Sequence, residues 1–334
     1  MGLSLSPAPA GVDAALTLPP LRVEYAHAAL AALLAESDVL AVTGFGRAAP
    51  ACADPRYQRV ALEPAGGPAP LEVWRSAGRI ESGRDGALRW SRSADYAFVA
   101  IELDERDFAG IAATTQAAYA RLEAWCRASA TPHWLRVWNY VDAINFGFGD
   151  AERYRLFCSG RAAGMAVAAS YPAASAIGVH DGARRLQVCV LATRQPGAAV
   201  ENPRQVSAWR YPREYGPVAP SFARAMRAPT RSPQLYISGT AAVVGHASHH
   251  AGNVAAQLAE TLTNLDSLRV AAGCTTPLGN PHSPLRVYVR HAADATRVHE
   301  TLLARLGVDT PLLILLGDIC RAELLVEIDG VLNG

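Results

Sequence analysis

Hydrophobic and polar positions are most regular in the last third of the chain. Residues 232–244 alternate between apolar and polar side chains, which is typical of a half-buried strand. Residues 253–273 instead repeat apolar side chains at helical spacing, with Asn253 as the expected N-cap and Gly273 at the expected C-terminal stop. A strand, a helix and one or two further strands are predicted to follow, at 285–292, 293–307 and 312–330. The predicted order is therefore β-α-β-α-β.

A fainter copy of this pattern lies upstream. Residues 111–129 have the spacing of a helix, and residues 135–145 repeat the Leu-Arg-Val-aromatic opening of the strand at 285–292. Internal similarity of this kind indicates two related halves, each a sheet with helices on one face. We therefore predict an α/β protein of the α+β type, with an N-terminal half at 1–150 and a C-terminal half at 151–334.

Two further strands and one irregular segment are predicted between the copies. Residues 153–172 and 184–194 are interpreted as strands. Residues 201–226 are rich in Pro, Arg and Tyr and show little periodicity. Because a long irregular stretch inside a compact domain is usually functional or disordered, and this one carries many aromatic residues, we expect an ordered loop near a site. Its arginines and tyrosines are the residue types that bind carboxylates.

The last predicted strand places a carboxyl group among apolar neighbours. Leu325, Glu327 and Asp329 share one face, and poor solvation there would raise the pKa of Glu327 and make it a general acid. A strand-end Glu paired with an Arg fits the pattern as well. Cys320 lies seven residues upstream, an odd offset that places it on the opposite face of an unbroken strand. A shared pocket therefore requires a break near residues 321–323.

Composition and charge exclude several classes of protein. The 334 residues are 50% hydrophobic and 18% charged with a net charge of +1, so neither a nucleic-acid surface nor a polybasic membrane patch is expected. No apolar run approaches the roughly 20 residues that span a bilayer. Residues 1–20 lack the pattern of a signal peptide. The six cysteines form no CxxC pair, which favours a reducing compartment. We expect a cytoplasmic protein.

No motif predicts a metal or a cofactor. His246, His249 and His250 do not have the spacing of a helical zinc motif, so solvated loop histidines are the better interpretation. Residues 42–50 contain a GxG without the third glycine of a dinucleotide site. The backbone and hydroxyl at Gly239 and Thr240, at a strand end, are better placed for an anionic ligand. We expect acid–base chemistry with no metal and no cofactor.

Four stretches form the most specific pattern along the chain. They are RYRLFCSGRAAG, ENPRQVSAWRYPREYGPVAPSFARA, YISGTAAVVGHAS and CRAELLVEIDG. Together they resemble the chorismatase family, and most closely its 3-hydroxybenzoate synthases. The last third is also similar to the trimeric enamine/imine deaminase superfamily, which implies a C-terminal half that is YjgF-like or chorismate-mutase-like. The resemblance to chorismatases implies cleavage of chorismate to pyruvate and a ring acid.

The resemblance also implies roles for individual residues. Glu327 occupies the position of the family's catalytic acid. Cys320 stands where the hydrolysing type carries Ala and the 3-hydroxybenzoate type carries Cys, so its thiol is expected to steer the aromatisation. Outside that context Cys320 would be interpreted as a small buried hydrophobe. The expected substrate-binding residues are Tyr154, Arg161, Arg204, Tyr211, Tyr215, Gly239, Thr240 and Arg290.

Several alternatives remain open at the level of sequence. A proteobacterial type that the chain resembles makes both 3- and 4-hydroxybenzoate. The competing functions are a hydrolase that releases a dihydroxycyclohexadiene carboxylate, an enamine/imine deaminase, and a non-catalytic small-molecule binding module. None of these requires a nucleic acid, a metal or a membrane. Deaminase-like proteins trimerise, but an internal duplication can replace subunit contacts, so both a monomer and a trimer are consistent with the sequence.

Overall fold

The computed structural model describes residues 18–165 and 170–334. Within them, the helices are α1 (Leu30–Ala35), α2 (Ile111–Ala128), α3 (Arg153–Gly164), α4 (Val254–Ala271) and α5 (Ala295–Leu306). The strands are β1 (Arg22–Ala26), β2 (Val39–Phe45), β3 (Tyr57–Val60), β4 (Glu63–Pro64), β5 (Leu71–Arg75), β6 (Glu81–Asp85), β7 (Leu88–Arg92), β8 (Tyr96–Asp104), β9 (His133–Asp142), β10 (Ala173–Val179), β11 (Arg185–Thr193), β12 (Ala198–Val200), β13 (Ala225–Arg227), β14 (Gln234–Ala241), β15 (Val243–Val244), β16 (Ala247–Ser248), β17 (Leu285–Val289), β18 (Leu312–Leu316), β19 (Asp318–Ile319) and β20 (Val326–Asn333). No described helix is long and apolar enough to cross a membrane.

Two seven-stranded sheets dominate the structure and share one topology. The first has the order β19-β10-β9-β11-β8-β7-β6, and the second has the order β12-β13-β14-β20-β17-β18-β4. Each is built from three successive strands, a helix, a strand, a second helix and two more strands. In each, the pair joined by the second helix is parallel: β9 with β10 and β17 with β18. The predicted α+β class with two related halves is confirmed.

Each large sheet is extended at one edge by a strand from elsewhere in the chain. The two-residue strand β19 comes from the C-terminal part and pairs with β10. The equally short β4 comes from the N-terminal part and pairs with β18. A separate four-stranded sheet of order β1-β5-β2-β3 precedes the duplicated units. The N-terminal part is therefore tied to the second sheet, and the C-terminal part to the first.

The division between the halves lies later in the chain than the sequence indicated. The elements α3, β10 and β11 complete the first sheet, so the chain changes sheets between Thr193 and Ala198 and not at residue 150. The segment at 135–145, which repeats the Leu-Arg-Val-aromatic motif, forms β9. This is the fourth strand of the first sheet along the chain, and not its last. Two more strands must follow it before the sheet is complete.

The predicted strand at 153–172 is wrong, because residues 153–164 form the helix α3. This helix approaches α2 at two glycines. A Cβ on Gly160 would lie 2.1 Å from the Ala112 carbonyl oxygen, and a Cβ on Gly164 would lie 2.5 Å from the Gln116 carbonyl oxygen. Glycine is unfavourable inside a helix, and here its missing side chain permits the close approach of two helices. The remainder of that prediction at 166–169, and the N-terminal segment 1–17, lie outside the described residues.

The other long elements agree with the predictions from apolar spacing. The helices α2, α4 and α5 and the strands β9, β11, β14 and β17 occur where expected. The Asn253 side chain accepts a hydrogen bond from the Ala256 amide at 3.1 Å, which confirms the N-cap. Separate cores lie between each sheet and its own helices, and a third core lies where the other faces of the sheets meet the four-stranded sheet.

Candidate active site

A cavity of about 400 Å³ opens between the two large sheets. Its volume lies in the range of small-molecule sites in proteins. Four parts of the chain form its wall: the start of α3, the irregular loop at 201–224, β14, and the turn that leads into β20. The residues that carry its chemistry are Tyr154, Tyr211, Tyr215, Arg224, Cys320 and Glu327. The expectation that the irregular loop is ordered beside a site therefore agrees with the structure.

The strand is interrupted between Cys320 and Glu327. Two residues at an odd offset need such an interruption if they are to share a pocket. The strand β19 ends at Ile319, and a turn follows in which the Leu324 amide donates to the Arg321 carbonyl oxygen at 3.1 Å. The strand β20 then begins at Val326 and pairs with β14 and β17 of the second sheet. Both side chains consequently reach the same cavity.

Glu327 is a buried carboxyl group at the base of the cavity. It is 4% exposed, and no hydrogen bond from the described residues reaches its carboxyl oxygens. Burial, followed by the charge of Asp329, raises the pKa of Glu327 to about 8. Gly239 makes room for it, since a Cβ at that position would lie 1.9 Å from Glu327 Oε1. Glu327 is therefore a carboxylic acid near neutral pH.

Cys320 contributes a neutral thiol to the same cavity. Burial, followed by the neighbouring Glu327, raises the pKa of Cys320 to about 12. Tyr154 forms a hydrogen bond with this thiol, and burial raises the pKa of the Tyr154 hydroxyl well above its ordinary value. The thiol and the phenol both carry their protons at physiological pH.

Two arginines that the sequence analysis did not select supply positive charge. Arg224 is 5% exposed, and its Nη2 donates to the Tyr211 hydroxyl at 2.6 Å and to the Val206 carbonyl oxygen at 2.8 Å. Its buried Nε has no hydrogen-bond partner among the described residues. The guanidinium of Arg321 lies 4.0 Å from the ring centroid of Tyr215. Unpaired donors of this kind are suited to an anionic ligand.

Four of the expected substrate-binding residues lie outside the lining of this cavity. Arg204 pairs with Glu260 and donates from Nε to the Asn264 side chain at 2.9 Å. Arg161 is buried with its guanidinium 5.2 Å from the ring of Tyr119. The hydroxyl of Thr240 donates to the Ser238 carbonyl oxygen at 3.0 Å. Arg290 is engaged by Asp318 and by backbone carbonyl groups.

The sequence nevertheless contained signals for the residues that were missed. Arg224 closes the Pro- and Arg-rich loop that was expected beside a site, and Arg321 is adjacent to Cys320. Gln205, which also lines the cavity, follows Arg204 in the same loop. The loop and the tail therefore both contribute to the cavity wall, whereas Arg204 and Arg290, which were chosen from sequence, lie outside its lining.

The histidines near the cavity contact neighbouring side chains. His246 Nδ1 lies 3.3 Å from the Tyr215 hydroxyl, and the imidazole of His250 is 3.2 Å from Glu260. Within residues 18–165 and 170–334, no three His, Cys, Asp or Glu side chains are grouped so that they could hold a metal ion.

The fold and the cavity define a duplicated α+β protein whose site combines a protonated carboxyl group, a thiol and two arginines. Residues 72–192 match the family model described as "Chorismatase FkbO/Hyg5-like, N-terminal". A chorismatase from Streptomyces hygroscopicus is 35% identical over 78% of each chain. A 3-hydroxybenzoate synthase from the same organism is 33% identical over 78% of this chain and 80% of its own.

A solved chorismatase crystal structure extends the similarity to the whole fold. It is 32% identical, covers 96% of this chain and 100% of that chain, and superimposes with a TM-score of 0.82. The chain belongs to the chorismatase family.

Proposed function

We propose that this protein cleaves chorismate to pyruvate and 3-hydroxybenzoate. The observation that carries the proposal is the presence, in one cavity of about 400 Å³, of a carboxyl group that is protonated near neutral pH and a neutral thiol. Glu327 is the proton donor and Cys320 directs the fate of the ring. No step in this scheme requires a cofactor.

Arg224 and Arg321 are the proposed partners of the substrate carboxylates. Chorismate carries one carboxylate on its ring and another on its enolpyruvyl side chain. Arg224 lines the cavity and is held there by its hydrogen bonds to the Tyr211 hydroxyl and the Val206 carbonyl oxygen. Arg321 is held by the His246 carbonyl oxygen at 2.8 Å and by the rings of Tyr211 and Tyr215, so its charge is fixed at the cavity wall. Two fixed cations bind a dianion at little cost in side-chain ordering.

Cleavage begins with transfer of a proton from Glu327 to the methylene carbon of the enol ether. The side chain becomes an oxocarbenium ion, whose capture by an oxygen nucleophile leads to pyruvate. A carboxyl group whose pKa of about 8 lies close to the operating pH is an effective general acid. The resulting carboxylate is stabilised by Arg136 and Arg224, whose charges lower the pKa of Glu327.

Cys320 is proposed to direct the ring toward aromatisation. Hydrolysis of chorismate consumes one water and leaves both ring oxygens in a dihydroxycyclohexadiene carboxylate. Formation of 3-hydroxybenzoate removes one of these oxygens, so the overall reaction has no net requirement for water. The thiol and the Tyr154 hydroxyl both retain their protons and can act as acids toward a departing hydroxyl group.

The first test is incubation of the purified protein with chorismate and separation of all products by chromatography. Pyruvate with 3-hydroxybenzoate, above a control without protein and above Glu327→Gln, supports the proposal. The method also resolves 4-hydroxybenzoate and the dihydroxycyclohexadiene carboxylate. The latter as main product would make the protein a hydrolase. That outcome matters because the relatives named chorismatase and 3-hydroxybenzoate synthase are almost equally similar, at 35% and 33% identity. Absence of pyruvate would refute the proposal.

A further inference from the structure

Asp329 lies two residues beyond Glu327 on the same face of β20, whose pairing with β17 is unbroken over both residues. Its side chain is fully buried, and its Oδ2 accepts three hydrogen bonds. The donors are Arg136 Nη2 at 2.7 Å, Ser175 Oγ at 2.6 Å and the Tyr288 hydroxyl at 2.9 Å. They belong to β9, β10 and β17, so both large sheets hold this one carboxylate in place.

The two carboxyl groups of β20 have opposite environments. Asp329 receives three hydrogen bonds, one of them from the charged guanidinium group of Arg136. The carboxyl group of Glu327 receives no hydrogen bond from the described residues and lies against Gly239. Neighbouring carboxyl groups with divergent surroundings are the arrangement in which one serves as the acid and the other stays ionised.

We propose that Asp329 is a positioning residue for the acid: its carboxylate, paired with Arg136 and hydrogen-bonded by Ser175 and Tyr288, places a negative charge beside Glu327, which therefore retains its proton until the substrate takes it. The inference rests on the proposed function of Glu327 as proton donor. It extends the site to a residue that lies outside the lining of the cavity.

The charges around Glu327 act on its pKa in opposite directions. The charged and titratable groups that interact with Glu327 are Asp329, Arg136, Arg224 and Cys320. Burial and then Asp329 raise the pKa of Glu327, whereas Arg136 and Arg224 lower it. The arginines hold Asp329 and the substrate, so their charge is present throughout. Without Asp329, burial alone would oppose the two arginines, and the pKa of Glu327 would be lower.

The test compares the pH dependence of kcat in wild type, Asp329→Asn and Glu72→Gln. Glu72 is the matched control, because it is 2% exposed and is likewise paired with a buried arginine, Arg286, between the layers. In Asp329→Asn we expect the alkaline limb of kcat to move down by about one pH unit, with a roughly tenfold loss of rate above it. In Glu72→Gln the limb should stay where it is in wild type.

A second readout does not depend on turnover. The difference in Tm between each protein and the same protein carrying Glu327→Gln, followed against pH, reports the titration of Glu327. Its midpoint should fall in Asp329→Asn and not in Glu72→Gln, even if chorismate is not the substrate. Wild type that fails to cleave chorismate while this midpoint shifts would refute the proposed function and leave the role of Asp329 standing.

Two outcomes would overturn the role of Asp329. One is an unchanged alkaline limb and Tm midpoint in folded Asp329→Asn, and the other is an equal shift in Glu72→Gln. If Asp329→Asn does not fold because Arg136 is left unpaired, the double variant Arg136→Gln/Asp329→Asn replaces the ion pair with neutral amides. Because the effect of Asp329 on Glu327 exceeds that of Arg136, a smaller downward shift is expected, and no shift or an upward one would contradict the proposal.

Discussion

Cys320 and Glu327 line the same cavity although they are positioned by strands of different sheets. Cys320 comes directly after β19, the edge strand of the first sheet, and Glu327 is the second residue of β20 in the second sheet. On an unbroken strand the two side chains would face opposite ways, and the intervening turn brings them to the same side. The site is therefore a product of the edge-strand exchange between the two halves.

Replacement of Cys320 tests whether cleavage and aromatisation are separable. In Cys320→Ala we expect pyruvate release within about tenfold of wild type, because proton transfer rests on Glu327, and a product shifted from 3-hydroxybenzoate to the dihydroxycyclohexadiene carboxylate. Chromatography of the reaction measures the ratio. Cys158→Ala, which removes a second buried thiol beside Tyr154, is the control and should keep the wild-type ratio. Unchanged formation of 3-hydroxybenzoate by Cys320→Ala would contradict this role.

Glu327→Gln should lose activity and alter how stability depends on pH. General acid catalysis contributes about 10²- to 10⁴-fold, so kcat should fall by at least about 100-fold. The pKa of Glu327 is raised from 4.5 to about 8 in the folded protein. Between these values the unfolded chain releases a proton that the folded protein keeps, so wild-type stability falls as pH rises, whereas glutamine does not titrate.

Thermal melts at pH 5, 7 and 9 check the stability of this variant. The Tm of Glu327→Gln relative to wild type should increase with pH and level off above about pH 8. A Tm difference that is independent of pH would show that Glu327 has an ordinary pKa in the folded protein, and the acid would have to be sought elsewhere.

An aliphatic buried face made the helix α4 predictable from the sequence. The helix α4 buries Leu258, Leu262, Leu265 and Leu268, and this stripe is visible in the sequence. The face that α3 buries consists instead of Arg153, Phe157, Cys158, Gly160, Arg161 and Gly164. Glycines and arginines do not produce a hydrophobic period, so the helix was misread as a strand. Its fit depends on the shape of α2, which local spacing does not reveal.

Gly160→Ala distinguishes helix propensity from close packing. Alanine stabilises a helix by about 1 kcal/mol relative to glycine, so an unconstrained site would gain stability. At Gly160 the added Cβ would lie 2.1 Å from the Ala112 carbonyl oxygen, and we expect a loss of about 1–3 kcal/mol in the free energy of unfolding. Denaturant titration measures it. Ala162→Gly, at an exposed position of the same helix, calibrates the propensity effect, and a stabilised Gly160→Ala would refute the close contact.

The sequence indicated which two segments supply the arginines of the cavity, but it did not indicate which arginines within those segments line it. Arg204 is neutralised by Glu260, which is 56 positions away, and Arg290 by Asp318, which is 28 positions away. Arg224 lines the cavity, its Nε makes no hydrogen bond to a described residue, and its charge acts on the neighbouring carboxyl group of Glu201, so this distinction exists only in three dimensions. Residue type predicts what an arginine can bind, whereas the fold decides which arginine is available.

Arg224→Met should therefore weaken substrate binding far more than Arg204→Met. Loss of a charge-assisted hydrogen bond of about 1.5–3 kcal/mol corresponds to a rise in KM of roughly 10- to 150-fold. Arg204 faces Glu260 and Asn264 outside the cavity lining, so its variant should change KM by less than about threefold. Steady-state kinetics on both folded variants decide the matter. Equal effects would mean that the carboxylates bind elsewhere.

Arg290 is expected to govern the turn that carries Cys320 rather than to bind substrate. Its guanidinium contacts Asp318 and donates to the carbonyl oxygens of Leu324 at 2.8 Å, Ile319 at 3.0 Å and Arg321 at 3.1 Å. Arg290→Met leaves these acceptors without their donor, which costs about 1–3 kcal/mol for each buried group. We expect a lower Tm and a product ratio shifted toward the dihydroxycyclohexadiene carboxylate, with KM little changed.

Arg290→Lys keeps the positive charge but removes the several N–H donors of the guanidinium group. A single ammonium cannot reach acceptors spread over six residues, so lysine should not restore the wild-type product ratio. Arg269→Met, which removes a partly buried arginine that is paired with Asp266 and lies outside the cavity lining, controls for the general loss of a guanidinium and should leave the ratio unchanged. A large rise in KM at an unchanged product ratio in Arg290→Met would show that this arginine holds a substrate carboxylate after all, as its sequence position first suggested.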